Sequence, residues 1–373
     1  MKKFYILAAV ALVASAACTK VEPVETVASE PAISFQVANY AGQTKAGETS
    51  LKDEGFNNFK TWAWYTSSTT PNQPFMTPAT VTWDGGNTQW APSDRTYYWP
   101  KTGYVNFFSF AGNHFPDAVD LNASNQVEAH YTTAITVATD DNILVADGAY
   151  GFFNNDAPQY KLDGVTKGVP TLFRHMLSRV KFDIKVDATD VDDTDNHWKV
   201  TVTSATVSYR NQGTLEVGFP STPSITLGAD NKPTTAGQAL QYTSQAWTPA
   251  SAANVTLTNA ANVIVETDGH AASTAKALIA DSVVMPQTLG TTNVTIALTY
   301  TLEHTYGGVA AASEVVPIAA TALTDFSPSI TAWDPNTIYT YHIIIKPAAD
   351  NKILFDPAVE TWAQIDTPTY TIK

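Results

Sequence analysis

The sequence predicts an all-β protein with two β-sandwich-like domains in tandem. Alternating β-branched and aromatic residues recur in short runs, and clusters of Gly, Pro, Asn and Asp separate these runs. Helical periodicity is nearly absent. Because 44% of the 373 residues are apolar and 11% are aromatic, the chain is long enough to bury more than one core, which favours two domains.

The N-terminus is typical of a lipoprotein signal peptide. Two lysines precede an apolar run over 4–13 and four small residues, and Cys18 follows. The run is shorter than the roughly 20 apolar residues that span a bilayer, so we predict a cleaved signal peptide over 1–17. Cys18 is the single cysteine, which predicts lipidation at this residue and a mature fold without disulfides. Residues 18–30 are predicted to form a flexible tether.

Turn-rich segments divide the remaining chain. The stretch over 154–170 is the best candidate boundary, because it combines Asn, Asp, Gly and Pro over a long interval. We therefore predict an N-terminal β domain over 31–170 and a C-terminal β domain over 171–373.

Four segments carry clear strand signals. Apolar residues alternate with lysine and aspartate over 180–186, which predicts a half-buried antiparallel strand. The same period of two occurs over 294–300 and 339–345. The aromatic-rich run over 105–110 is also predicted to be a strand.

The charge and the polar residues argue against several classes of function. A formal net charge of −14 argues against nucleic acid as a partner, because phosphates require a basic surface. The sequence has no Gly-x-Ser-x-Gly elbow and no helical zinc-ligand spacing among its seven histidines. The aspartates over 190–195 lack the glycine and glutamate of a calcium loop. We predict no catalytic residue, no metal and no cofactor, although a carboxylate pair for sugar hydrolysis is not recognisable from sequence.

Five tryptophans crowd the first domain and allow two interpretations. They could form a platform on which sugar rings stack, which would make the protein a surface glycan-binding lipoprotein. Large aromatic side chains in β proteins more often fill the core, and we favour that interpretation. These residues are Trp62, Trp64, Trp83, Trp90 and Trp99.

Six short phrases follow one another along almost the whole chain. They are Tyr97–Pro100, Val105–Phe110, Asp141–Ala146, Phe173–Val180, Val284–Gln287 and Tyr339–Ile343. Together, in this order, they resemble the fimbrillins, the type V pilins and pilin-like lipoproteins of Bacteroides-type bacteria. The resemblance implies a two-domain β fold, export as a lipoprotein to the outer membrane, and assembly into a fimbria by donor-strand exchange after proteolysis.

The resemblance also implies a maturation cut within 42–47, where a trypsin-like protease cleaves after a basic residue. Lys45, followed by Ala46, is the basic residue of this segment. Loops carry proteolytic sites readily. The alternative is an ordinary exposed lysine in a loop between two strands.

An alternating strand precedes this cut, with Ile33, Phe35 and Val37 on one face. Its removal would leave a hydrophobic groove with unpaired strand edges. A strand from another subunit could then fill the groove by β-augmentation.

The C-terminal run over 355–373 is the candidate donor strand. Pro357 and Pro368 interrupt it, which suits an edge or exchanged strand better than a central one. The alternative, which applies mainly to 353–362, is a last strand that closes its own domain. Five apolar side chains are the candidate anchors: Val359, Trp362, Ile365, Tyr370 and Ile372.

These inferences together predict a structural subunit of a surface fimbria that contributes to adhesion and is not an enzyme. The expected partners are other fimbrial subunits in a homo- or heteropolymer, the maturation protease, and the outer membrane through the lipid anchor until maturation. Lys45 and the apolar tail favour a stalk subunit. The alternatives are an anchor, which keeps its lipid and N-terminal strand, and a tip, which accepts a strand without passing one on.

Overall fold

Nearly all regular structure in this chain is β-strand, which confirms the predicted all-β fold class. The helix α1 (Leu323–Phe326) has four residues. No helix in the described part of the chain is long and apolar enough to cross a membrane. The computed structural model of the protein describes residues 32–37, 51, 55–85, 89–153, 161–162, 166–191, 194–250, 254–259, 261–290, 293–326, 330–347 and 352–361.

The strands are numbered here in chain order. Those before residue 176 are β1 (Phe35–Val37), β2 (Asn58–Thr66), β3 (Gln73–Asp84), β4 (Gln89–Pro92), β5 (Tyr104–Gly112), β6 (Ala118–Leu121), β7 (Val127–Thr136), β8 (Ile143–Ala146), β9 (Gly148–Phe152), β10 (Lys161–Leu162), β11 (Thr166–Lys167), β12 (Val169–Thr171) and β13 (Phe173–His175). Those after residue 176 are β14 (Ser178–Val186), β15 (Asn196–Arg210), β16 (Gln212–Gly218), β17 (Gln238–Leu240), β18 (Ser244–Pro249), β19 (Asn254–Thr258), β20 (Val263–Asp268), β21 (Lys276–Val284), β22 (Gln287–Thr288), β23 (Thr295–Tyr306), β24 (Val309–Ala322), β25 (Ala332–Trp333), β26 (Thr337–Lys346) and β27 (Lys352–Thr361).

The largest sheet has ten strands and curves back on itself. Its main order is β12-β1-β4-β3-β2-β5-β8-β13, with β9 paired to β5 and β17 paired to β9. The two strands at its ends, β12 and β13, are consecutive in the chain and are joined by Leu172 alone. The sheet therefore has to bend until its first and last strands come together.

Strand β5 of this sheet is buried on both of its faces. In β5, Phe107 packs into a first core, which also contains residues of β1 and β2. The neighbouring Phe108 and Phe110 point the other way, into a second core. Because side chains alternate between faces, a strand between two cores is apolar on both, which explains the aromatic-rich run at 105–110.

A four-stranded sheet of order β18-β16-β7-β6 contributes Leu215 and Val217 of β16 to the second core. Strands β16 and β18 thus pair with, or lie beside, strands from the first half of the chain, and β17 joins the ten-stranded sheet through β9. The predicted division at residue 170 therefore does not coincide with a division between sheets. Within the turn-rich segment over 154–170, strands β10 and β11 pair antiparallel. The pairing of β16 and β17 with strands of the first half of the chain is long-range, and local composition does not encode it.

Two further sheets enclose the third core. One has the order β21-β14-β26-β27, and the other has the order β19-β15-β23-β24 with β20 also paired to β15. Between them, Phe182 and Tyr341 stack with ring centroids 4.9 Å apart. The predicted alternation over 180–186 is confirmed, since inward side chains of β14 are buried and the others are half-buried. The antiparallel prediction holds for β21 but is wrong for β26, which runs parallel to β14.

The buried tyrosines predict that the fold is sensitive to alkali. Burial raises the pKa of Tyr209, Tyr242 and Tyr339 to about 12, and it raises the pKa of Tyr131 further. These groups stay protonated when folded but ionise near pH 10 when unfolded, so their contribution is complete below about pH 10 and is lost between about pH 10 and 12. Each such tyrosine should cost about 1.4 kcal/mol of stability per pH unit in that window.

Denaturant titrations at increasing pH, with tyrosinate absorbance recorded in parallel, check this expectation. Stability should be constant up to about pH 10 and then fall together with the appearance of the late-titrating tyrosinates. Titration of all 16 tyrosines near the ordinary value in the folded protein would contradict it.

Candidate functional site at the N-terminal strand

Strand β1 is an internal strand made of only three residues. It runs antiparallel to β4, with Phe35 opposite Trp90, and parallel to β12, with Phe35 opposite Val169. Two further backbone hydrogen bonds flank it: Ile33 N–H donates to the Tyr97 carbonyl at 2.8 Å, and Val169 N–H donates to the Ser34 carbonyl at 2.8 Å. A short segment near the N-terminus therefore sits between two neighbours in the ten-stranded sheet, next to its end strand β12.

The side chains of this segment fill the first core. Phe35 is 0% exposed and makes edge-to-face contacts with Phe59 and Phe107, each with ring centroids 5.5 Å apart. Ile33 is equally buried, while Val37 is half-buried and packs against the same core. The three residues predicted from their alternation thus lie together in one hydrophobic cluster.

Gly168 allows the chain to approach β1 closely, and sequence reasoning missed it. A Cβ atom at this position would lie 2.9 Å from the carbonyl carbon of Phe35 and 3.0 Å from the nitrogen of Gln36. Both are backbone atoms and cannot give way as a flexible side chain can. The available signal was a glycine directly before a strand, which marks a close backbone approach as well as a turn.

One polar atom of the site has no partner. The Oε1 atom of Gln36 is buried and accepts no hydrogen bond from the residues that the structure describes. A buried acceptor without a donor costs about 1–3 kcal/mol. The segment that occupies this position is therefore held less tightly than its apolar contacts alone would suggest.

At the other end of the chain, β27 completes the protein's own sheet. It pairs antiparallel with β26 over ten residues, which places Val359 opposite Tyr339 with 55% of Val359 exposed. Pro357 is tolerated here because β27 is an edge strand. The sequence left two interpretations open for 353–362, and the structure places Lys352–Thr361 in a closing strand. A donor segment that leaves β27 in place would begin after Thr361.

Several predicted residues lie outside the part of the chain that the structure describes. They are Cys18, Lys45, Ala46, Trp362, Ile365, Tyr370 and Ile372, together with the predicted signal peptide and tether.

The tryptophans of the first half do not form an exposed platform. Trp62, Trp64, Trp90 and Trp99 are buried, and Trp83 packs against Trp90 with ring centroids 5.7 Å apart. Stacking of a sugar ring requires an accessible aromatic face, which the four buried residues lack. The core interpretation of these four residues is therefore correct.

The segments over 141–146 and 173–180, which carry part of the family resemblance, lie side by side and are linked by polar side chains. Strands β8 and β13 pair antiparallel, and Arg174 makes two hydrogen bonds to Asp147, of 2.9 Å and 3.1 Å. Nearby, His175 is hydrogen-bonded to Asn142 through Nδ1 at 2.9 Å. These polar residues hold strands together, which is a structural role.

Comparison with known proteins places the chain among fimbrial proteins. The fimbrillin-like family model matches residues 44–362. A fimbrial protein from Bacteroides vulgatus is similar in structure over 89% of this chain and 99% of that chain, with 16% identity and a TM-score of 0.48. The fimbrial anchor protein Mfa2 from Porphyromonas gingivalis is similar over 89% and 96%, with 10% identity and a TM-score of 0.28. No curated protein matches the sequence. Because the family model covers most of its length, the chain belongs to the fimbrillin-like family.

Proposed function

We propose that the chain is a structural subunit of a surface fimbria that is exported as a lipoprotein through Cys18, cut after Lys45 and polymerised by donor-strand exchange. The observation that carries the proposal is β1, a three-residue strand that lies between β12 and β4 and contributes to the first core ahead of the proposed cut. The proposed role is structural and adhesive, not enzymatic.

A cut after Lys45 would leave β1 attached only by its own non-covalent contacts. Burial of Ile33 and Phe35 is worth roughly 3–6 kcal/mol before the cost of ordering the segment. After that cost, the affinity is roughly millimolar or weaker, so the cut segment dissociates readily. Its departure would leave β4 and β12 with unpaired edges and the Phe35 site empty.

The tail beyond β27 of another subunit is the proposed replacement. Trp362, Ile365, Tyr370 and Ile372 offer four apolar side chains, worth roughly 6–12 kcal/mol on burial. Before the cost of ordering either segment, this exceeds what β1 gains from its two buried side chains, which favours exchange. Strand β27 would stay in its own sheet and connect the donor tail to the body of its subunit.

Mild trypsin treatment of the purified full chain, followed by intact mass and an unboiled denaturing gel, tests the proposal. We expect one early cut after Lys45 and a ladder of oligomers. The Lys45→Ala variant should stay uncut and monomeric, whereas Lys52→Ala, which alters a neighbouring lysine, should behave as the unmodified chain. A chain ending at Thr361 should be cut and yet remain monomeric.

The outcomes separate the roles that a subunit can take. Cut protein that stays monomeric with an intact tail, even when other fimbrial subunits are added, would overturn the stalk role. Resistance at Lys45 would favour an anchor that keeps its lipid and β1. A subunit that accepts a tail peptide but cannot donate its own would be a tip.

A further inference from the structure

An open cleft of about 400 Å³ lies between the edge strand β18 and the short ladder formed by β22 and β25. None of the residues that line it belongs to β1, β4 or β12. Its volume lies within the range of about 300–1,000 Å³ that is usual for small-molecule sites. The cleft is therefore large enough for one or two sugar rings and is separate from the proposed strand exchange.

The walls of the cleft are fixed by hydrogen bonds to buried groups. Trp247 donates its indole N–H to the Met176 carbonyl at 2.8 Å, and Trp333 donates its own to the Tyr341 hydroxyl at 2.9 Å. The Gln287 side chain donates to the Arg210 carbonyl at 2.9 Å. These bonds fix the Trp247 side chain and the backbone of Arg210 at the cleft.

Among the residues that the structure describes, Arg210 is the arginine whose guanidinium has no charged or aromatic partner. Of the four arginines in the chain, Arg174 binds Asp147, Arg179 binds Asp281, and Arg95 lies over the ring of Tyr97. The Arg210 side chain has no hydrogen bond or ion pair with any residue that the structure describes. The net charge of the chain is −14, so this guanidinium, which has no partner among the described residues, is a positively charged site on an acidic protein.

The same cleft contains a hydrogen-bond acceptor. The exposed Asp334 has a carboxylate that accepts a hydrogen bond from the Tyr339 hydroxyl and can accept others. A ligand that fits must therefore offer an anionic group to Arg210 and a hydrogen-bond donor to Asp334.

We propose that this cleft binds a carboxylated sugar at the end of a glycan chain. A sugar carboxylate matches the two-pronged donor geometry of a guanidinium, and a hydroxyl of the same ring supplies a donor to Asp334. The half-buried Trp247 offers an apolar surface to the ring face. An acidic peptide fits less well, because Asp and Glu side chains have no ring face to pack on Trp247.

Calorimetric titration of the full chain tests the proposal with two carboxylated probes, 3′-sialyllactose and trigalacturonate. Their neutral counterparts are lactose and fully methyl-esterified trigalacturonate. We expect saturable binding of at least one carboxylated probe and at least about tenfold weaker binding of its neutral counterpart. Arg210→Gln should weaken binding at least about tenfold, because it removes the charge while its side chain makes no bond that holds the fold.

Lys232→Gln is the matched control, since it removes one positive charge in a loop outside the cleft and should leave affinity within about twofold. Circular dichroism verifies that both variants fold. Absence of saturable binding by either carboxylated probe would overturn the proposal, and so would equal losses in Arg210→Gln and Lys232→Gln. If hexaglutamate binds while neither sugar does, and Arg210→Gln loses that binding, the cleft is a site for acidic peptides instead.

Discussion

Replacement of Asp147 by alanine is expected to lower the free energy of unfolding by about 3–5 kcal/mol, because it removes the carboxylate that pairs with the buried Arg174 guanidinium. The side chains of Arg174 and Asp147 are only 7% and 5% exposed, and two hydrogen bonds join them. Water cannot replace the lost carboxylate at such a site. Urea unfolding followed by tryptophan fluorescence measures the loss.

The exposed pair Arg179–Asp281 provides the control, because it has the same chemistry in a different environment. Its side chains are 33% and 39% exposed, so Asp281→Ala should cost less than about 1 kcal/mol. The double variant Asp147→Leu with Arg174→Met should lose less than either single variant, since both charges leave together. Equal losses in Asp147→Ala and Asp281→Ala would show that burial of the first pair has no energetic consequence.

Local sequence patterns predicted which segments form strands better than they predicted which strands pair. The alternation over 180–186 and 294–300 identifies β14 and β23, because each has one face on a core and one on solvent. The parallel pairing of β14 with β26 joins residues that lie more than 150 positions apart in the chain. A period of two is the same for parallel and antiparallel strands, so the direction of the partner was not available from the pattern.

In the candidate site, too, the sequence pattern predicts the role of some residues and not of others. Ile33 and Phe35 could be predicted to share a buried face, since alternation alone places them there. Gly168 could not, because its importance depends on the backbone of β1, which lies far from it in the chain. Val359 was assigned to the donor by its apolar character, yet it lies exposed on an edge strand, where apolar residues are common.

Replacement of Phe35 by alanine is expected to lower the free energy of unfolding of the uncut chain by about 3–5 kcal/mol, because it removes a ring that is fully enclosed. The ring contacts Phe59 and Phe107 edge-to-face, and neither can close the resulting cavity without leaving its own packing. The loss weakens β1 selectively. The variant should therefore exchange β1 for a synthetic peptide of residues 362–373 faster than the unmodified chain, even before proteolysis.

The half-buried Val37 of the same strand provides the matched control. Val37→Ala should cost less than about 1.5 kcal/mol and should change peptide uptake little, because part of its side chain already contacts solvent. Fluorescence anisotropy of the labelled peptide reports uptake, and urea unfolding reports stability. If the Phe35→Ala variant is as stable as the unmodified chain, β1 does not stabilise the first core. A large loss of stability without faster uptake would separate the two roles: β1 would seal the core, but its place would not receive the tail.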